Sequence, residues 1–513
     1  MVDSAPLFNL SLGDANTTME SKPAVRKGVM CIVLIMIALS IVCAQEAKLI
    51  PPHKLIREFE HAIEIIEAHP SPYRKISESA LQAMIDSTAE LLDRPMDIVA
   101  FYKLVSPIYA TLRDGHTSVR IAHHWLTSYY KRKGIFPFSI FFNHENVLYL
   151  IQNFGPDSTI TPGAQVLALN GVTVDSFLTY VSRYISYESE AFRNGIITEQ
   201  FDLYLLLAFG EIDEISITYQ TDQTHMHTLQ FMSYGGWKKA RDDEEVRIDH
   251  LIEKGEPYEY TLLTKGIGLL KIHSFAISNR QSFDLFLDKV FRKVNTDDVH
   301  SLIIDVRGNT GGATYGVADL VHRLTTKSFK VTALSEMKVS KSFRDYFQDM
   351  APGVNFYRVW PIHAQHSFSI GELFRKDVGE YIVEGDSHKE SPKNIYQRFT
   401  GDLYLLTDER SFSAATSLAA IFRCYQLGFI VGTPTGGTRV FHANNMYKEL
   451  FSGELLCSMA TTRIYTPCFT DDEDTIVPDI TVNPTIFNLL SGRDAALDYT
   501  VHLIKKVEKS KED

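Results

Sequence analysis

Ser301-Leu302-Ile303-Ile304-Asp305-Val306-Arg307-Gly308-Asn309-Thr310-Gly311-Gly312 runs from an uninterrupted apolar stretch directly into glycines. A short apolar run without polar alternation reads as a strand buried on both faces, the kind found in a parallel sheet covered by helices. The glycines after it free backbone N–H groups to point into a site, suited to a phosphate or a developing oxyanion. The segment lacks the Lys-Ser/Thr of a P-loop and the glycine spacing of a dinucleotide fold, so nucleotide binding is not expected. Two further runs have the same character, Gly268-Leu269-Leu270-Lys271-Ile272 and Leu403-Tyr404-Leu405-Leu406. Helical patterns follow at about 313–325, 413–427 and 492–506. Strands alternating with helices predict an α/β core from residue 267 onward.

Working toward the N-terminus, the pattern changes. From Leu55 to Leu112 apolar residues recur at helical spacing (Ile56, Phe59, Ile63, Ile66, then Leu81, Met84, Ile85, Leu92), which predicts a helical bundle. Residues 137–152 read as a hairpin turning at Asn143-His144-Glu145-Asn146, followed by the Gly-led strand from Pro162-Gly163 to Asn170-Gly171. Residues 176–210 read as helical, and residues 335–395 as a long mixed insertion placed as a lid or rim. The expected division is 1–44 targeting segment, 45–118 helical, 119–250 β-rich and 251–513 α/β core. The whole is α/β in class, α+β when the N-terminal parts are counted.

Val29 to Ala44 is an uncharged apolar run preceded by Arg26 and Lys27 and ending Val42-Cys43-Ala44. A signal peptide cleaved after Ala44 is expected, with an uncleaved membrane anchor as the alternative. Secretion or a periplasmic, cell-envelope location follows. The 513 residues carry 51 Lys+Arg and 63 Asp+Glu, a net charge of −12, and nucleic acid is not an expected partner. Five cysteines are too few for a disulfide scaffold. A Cys457–Cys468 bridge with Cys424 free is one pairing open in an oxidising compartment. No CxxC or HExxH pattern occurs, His123-His124 stands alone, and neither metal nor cofactor is expected.

Four segments can carry chemistry. Leu112-Arg113-Asp114-Gly115-His116-Thr117-Ser118-Val119 presents a histidine just past an Asp-Gly turn. Asp305 to Gly312 supplies the glycines. Asp408-Glu409-Arg410-Ser411-Phe412-Ser413-Ala414-Ala415-Thr416-Ser417 sets hydroxyls at a helix start, where Ser411, Ser413 and Thr416 compete for the cap. A nucleophile also gains there, because free N–H groups and the helix dipole stabilise negative charge. Gly432-Thr433-Pro434-Thr435-Gly436-Gly437 is the fourth. None is the G-x-S-x-G elbow of α/β-hydrolases.

In this order, DGHTSV, DVRGNTGG, SFSAATSLA and GTPTGG resemble the C-terminal-processing (tail-specific) serine protease family. The closest likeness is to its branch holding the tricorn core protease and interphotoreceptor retinoid-binding protein. The likeness runs on through Val477-Pro478-Asp479-Ile480 and Gly492-Arg493-Asp494. It implies a crotonase/Clp-protease-like ββα core with an N-terminal helical bundle and a PDZ-like insert. It implies Ser413 as nucleophile, with oxyanion N–H groups from Ala414 and from Gly311 or Gly312. Members with a Ser/Lys dyad carry Lys where this chain has Thr438, so the resemblance points to His116 as base. Glu473 or Asp472 matches its supporting acid. The Gly163–Val166 strand is similar to a PDZ ligand strand, implying capture of an extended peptide by β-augmentation. The implied activity is an extracytoplasmic serine endopeptidase acting on peptides or unfolded C-terminal regions, with the oligomeric state open. The rival reading is an inactive relative binding peptides or apolar ligands.

Overall fold

The computed structural model describes residues 49–241, 257–350, 370–385, 389–393, 395, 397–469 and 474–512. The targeting segment expected at 1–44 and the acids Asp472 and Glu473 lie outside them. Among the described residues no helix is long and apolar enough to cross a membrane.

The strand Ser301–Asp305 is buried along its whole length and sits at the centre of a six-stranded sheet. It pairs in parallel with Ile267–Ile272 on one side and Asp402–Thr407 on the other. Phe429–Gly432 and Ile480–Thr481 extend the parallel order, and Tyr258–Thr264 closes the far edge antiparallel. Alternate side chains serve two cores. Leu302 and Ile304 pack among helices Arg280–Thr296, Thr314–Val321 and Ala414–Tyr425, while Ile303 faces the other way toward helix Ala495–Glu512. This is the covered parallel sheet that the apolar runs predict.

The N-terminal bundle forms from helices Pro52–Glu64, Glu78–Glu90 and Ile98–Ala110, the last two capped by Ser77 and Asp97 side chains. An antiparallel sheet follows in the order Phe138–Phe142, Leu148–Asn153, Gln165–Leu169, Glu214–Gln220, Thr224–Gln230, with the expected hairpin turning at Asn146, whose φ is +62°. Helices Val174–Ser182, Glu190–Glu199 and Phe201–Phe209 lie between its strands in sequence.

A third sheet was not foreseen. Leu455–Tyr465 is its spine, paired along its whole length with Val440–Leu450 on one side. Its other side meets Ser118–Ile121 and Leu334–Lys338, and Tyr381–Glu384 pairs with the latter. The 335–395 stretch expected as a lid therefore contributes two strands to this sheet. Pro51–Asp513 forms one compact unit.

The cysteine expectation is corrected: Cys424 and Cys468 form the disulfide, and Cys457 is the free, buried thiol. Cys457 sits mid-strand with its side chain in the core, while Cys468 follows the strand's end and reaches the end of helix Ala414–Tyr425. Burial pushes the Cys457 thiol up to about 12, so it is unreactive.

Candidate active site

Ser413 stands where the buried strand Asp402–Thr407 gives way to helix Ala414–Tyr425. The intervening turn is fastened to the glycine segment beside it. Gly308 N–H donates to Asp408 at 3.0 Å, Ser411 Oγ–H to Val306 O at 2.9 Å, and Phe412 N–H to Asn309 O at 3.0 Å. Burial, together with the adjacent Glu409 charge, raises the Asp408 carboxyl to about 7. Ser411 and Thr416, the competing hydroxyls, are committed to backbone carbonyls, Thr416 Oγ–H to Ser411 O at 3.1 Å. Ser413, at the cap position, makes no side-chain capping bond, and its backbone is held at φ 54°, ψ −115°. A non-glycine residue in that region stores strain that the surrounding bonds must maintain. A hydroxyl on a tight strand-to-helix turn is also the device that exposes the nucleophile of α/β-hydrolases, reached here without their sequence motif.

Gly311 faces this serine at φ +105°. A Cβ there would come within 2.6 Å of Ser413 Cβ and 3.0 Å of Ala414 N. The missing side chain thus keeps open the space above the Ala414 amide, where an oxyanion would rest. The expectation that Gly311 could itself donate is corrected, because its N–H already bonds Asn309 Oδ1 at 2.9 Å. The amides of Gly312 and Ala414 have no partner among the described residues. Gly312, at φ +135°, is pressed against Phe275, whose N–H and C=O bond Gly311 O and Ala313 N–H.

His116 belongs to a different element, the turn leading from the helical bundle into strand Ser118–Ile121. Its ring lies between two others, 4.6 Å from Phe412 and 5.8 Å from Phe441, stacked in both cases. Phe412 is the residue before Ser413 and carries Phe192 on its other face at 4.3 Å. The His116 main chain is pinned by N–H to Asp114 Oδ1 (2.9 Å) and by Asn445 and Ser458 side chains donating to its C=O. Its Nδ1 is buried without a hydrogen bond, 3.7 Å from Asp114 Oδ1, which leaves Nε2 as the atom to meet a hydroxyl. No hydrogen bond joins His116 to Ser413 Oγ. In unliganded sites such bonds are often long and tighten on substrate binding.

Asp114, fully buried, is surrounded by imidazoles: His69 Nε2 lies 3.5 Å and His442 Nδ1 3.9 Å from its oxygens. Burial alone would raise its pKa. The nearby imidazoles of His116, His69 and His442 overcome that and hold it well below the usual carboxylate range. Thr117 Oγ–H adds a 2.5 Å bond.

His69, Asp114 and His442 have the composition of a metal site, their ligand atoms lying within 4.8 Å of one another. The hydrogen bonding does not fit one. Ser71 N–H donates to His69 Nδ1 at 3.2 Å, so the ring proton sits on Nε2, the atom that would have to ligate. The cluster reads as a proton-bearing support for Asp114.

Sequence reasoning missed Glu188. Its carboxylate accepts from Thr438 N–H (3.1 Å) and Gly115 N–H (3.4 Å), and it falls with Asp114 and His116 in a group spanning 4.8 Å. Burial, then the Asp114 charge, raises it to about 7 against the pull of His116 and those amides. Nothing around Tyr187-Glu188-Ser189 marks the residue in the sequence.

The peptide-binding expectation for Gly163 and Val166 is corrected. Val166 is buried in a strand paired on both sides, with Leu148 and with Tyr219, so no edge is free for a peptide. Gly163 packs against Leu490 and Ile486. His123 and His124 open the helix His123–Lys133, with His123 bonding Thr127 at an exposed site. A cavity of about 480 Å³ lies at the carboxyl ends of the parallel strands, lined by residues including Arg307, Thr407, Asp408, Gly432 and Arg493, with neither Ser413 nor His116 on its wall.

Residues 266–482 match the family model described as peptidase family S41. Nothing matches among curated protein sequences. Among solved structures, mature CPAF superposes with a TM-score of 0.58 at 14% identity, over 86% of this chain and 94% of that one. Mature CPAF complexed with lactacystin gives 0.58 at 14% identity, over 89% of this chain and 98% of that one. The likeness extends the shared fold well beyond the matched domain.

Proposed function

We infer that the chain is a serine peptidase of family S41, an endopeptidase of the cell exterior or envelope that cuts peptides and unfolded C-terminal regions through a Ser–His mechanism. The observation that carries the reading is Ser413: an uncapped hydroxyl on a strained turn, facing a glycine whose absent side chain opens the Ala414 amide. In the mechanism, substrate binding brings the His116 ring onto Ser413 Oγ. His116 Nε2 takes the hydroxyl proton as Oγ attacks the scissile carbonyl carbon. The amides of Ala414 and Gly312 hold the resulting oxyanion, each such donor being worth about 10²–10³ in rate. Collapse breaks the C–N bond, and His116 returns its proton to the leaving amine. Water, deprotonated by His116, then releases the acyl group. Thr438, at the position of the dyad lysine, takes no part in proton transfer.

The Cys424–Cys468 disulfide supports an oxidising compartment, consistent with a signal peptide ending at Ala44. The open Ser413–His116 pair favours a second reading, a binding module without turnover. Labelling the purified protein with a fluorophosphonate, with Ser413→Ala as control, separates the two. Modification confined to Ser413 is expected; a folded protein that stays unlabelled would remove the peptidase reading.

A further inference from the structure

The segment Glu188–Phe192 touches the His116 loop, the turn before Ser413 and the Gly436–Thr438 loop. Ser189 Oγ–H donates to Gly436 O at 3.0 Å while accepting from Phe192 N–H, which starts helix Glu190–Glu199 there. Phe192 stacks on Phe412 and lies so close to Gly115 and Gly436 that a Cβ on either would meet its ring at 2.8 and 2.9 Å. Glu188 bonds the Gly115 amide in the loop of His116 and Thr438 in the loop of Gly436. Three segments more than 70 and 240 residues distant in sequence are thereby fastened at one carboxylate, since the Glu188 bonds span separations of 73 and 250 residues.

We propose that Glu188 is the positioning residue for His116: it bridges the His116 loop to the Gly436–Thr438 loop and presents a second carboxylate, beside Asp114, to the imidazole. The role rests on the peptidase reading above. Asp114 fixes the His116 main chain through the 2.9 Å N–H bond, but its oxygen stands 3.7 Å from Nδ1, beyond hydrogen-bond reach. A second anion within the same 4.8 Å group stabilises the imidazolium formed when Ser413 gives up its proton. The charged and titratable groups facing Glu188 are Asp114, His116 and Arg74. With its carboxyl raised to about 7 by burial and the Asp114 charge, Glu188 gains its own charge across neutral pH.

The test uses the full chain with Glu188→Gln and Glu188→Ala, each checked for wild-type circular dichroism. Gln keeps an acceptor for the two amides and removes only the charge. It is expected to lower kcat on a fluorogenic peptide by about 10–100-fold with KM within about two-fold, and to narrow the ascending limb of the pH profile by removing the component near pH 7. Ala is expected to speed hydrogen exchange of the Gly115 and Thr438 amides, a measurement that needs no turnover. Wild-type kcat and pH profile in the Gln variant, or unchanged exchange at both amides in the Ala variant, would overturn the proposal. Fluorophosphonate labelling of the wild type keeps the two ideas apart. An unlabelled wild type whose Ala variant exchanges faster would sink the peptidase reading and the proton-transfer role, leaving only the bridge.

Discussion

Ser413 is held in a backbone conformation that costs free energy, and its neighbours hold it there rather than the serine itself. Removing the hydroxyl by Ser413→Ala should abolish turnover and leave the thermal midpoint within a few degrees. His116→Ala should lower kcat by about 10²–10⁴, the range of a lost general base. The sharper case is Gly311→Ala, which adds one methyl 2.6 Å from Ser413 Cβ at a φ that only glycine adopts freely. Its kcat should fall at least as far as in the histidine variant, measured on the same peptide, because the methyl fills the oxyanion space. The turns that carry Ser413, His116 and the glycine pair were legible because their chemistry is local: Asp-Gly before the histidine, glycines after a buried strand, hydroxyls at a helix start. Glu188 was not legible, since its partners lie 73 and 250 residues away and only folding joins them. The Gly311 amide was misread for a related reason, as Asn309 two residues earlier turns its own side chain onto it.

Among the elements, buried apolar runs announced the parallel sheet, whereas the long hairpin Val440–Leu450 and Leu455–Tyr465 went unseen. Its strands break the apolar alternation with buried His442, Ser458, Thr461 and Thr462, and Asn444 interrupts it at φ +57°. Those polar groups are satisfied across the sheet, as by Thr461 Oγ–H to Asn444 O at 2.6 Å, which no periodicity reveals. The disulfide joins this hairpin's far end to the helix behind Ser413. Its closed loop of 44 residues corresponds to about 4 kcal/mol in the chain-entropy account. Cys424→Ser should therefore lower stability markedly in chemical denaturation and lower activity only through unfolding, while Cys457→Ser should change neither redox behaviour nor labelling. The aromatic stack gives a further expectation. Phe192→Ala leaves Phe412 without one face, and kcat should drop several-fold although Phe192 makes no polar contact with either Ser413 or His116.

Over the whole molecule, buried acids set a pH dependence of stability. Glu188 and Asp202 are raised to about 7, Asp202 chiefly by burial. A carboxyl whose folded value exceeds its unfolded one contributes stability that is complete below the unfolded value and is lost as pH climbs through the folded one. Asp114, held low, has the opposite sign and weakens the fold only below the usual carboxylate range. His273, His322 and His442, held low by burial, oppose the loss from the two raised carboxyls below about pH 6.5, so the thermal midpoint should decline as pH climbs above that through about 7. Scanning calorimetry across that interval checks the sign.

The bond from Ser458 to the carbonyl of His116 spans 342 residues. A ribosome adding about 5–20 residues per second needs roughly 20–70 s to make the second partner after the first. Throughout that time the nascent chain owns a histidine, a glycine loop and finally a serine that have not met. On the peptidase reading no competent centre exists until the last sheet closes, and a product truncated before Leu455 has lost the strand on which His116 rests.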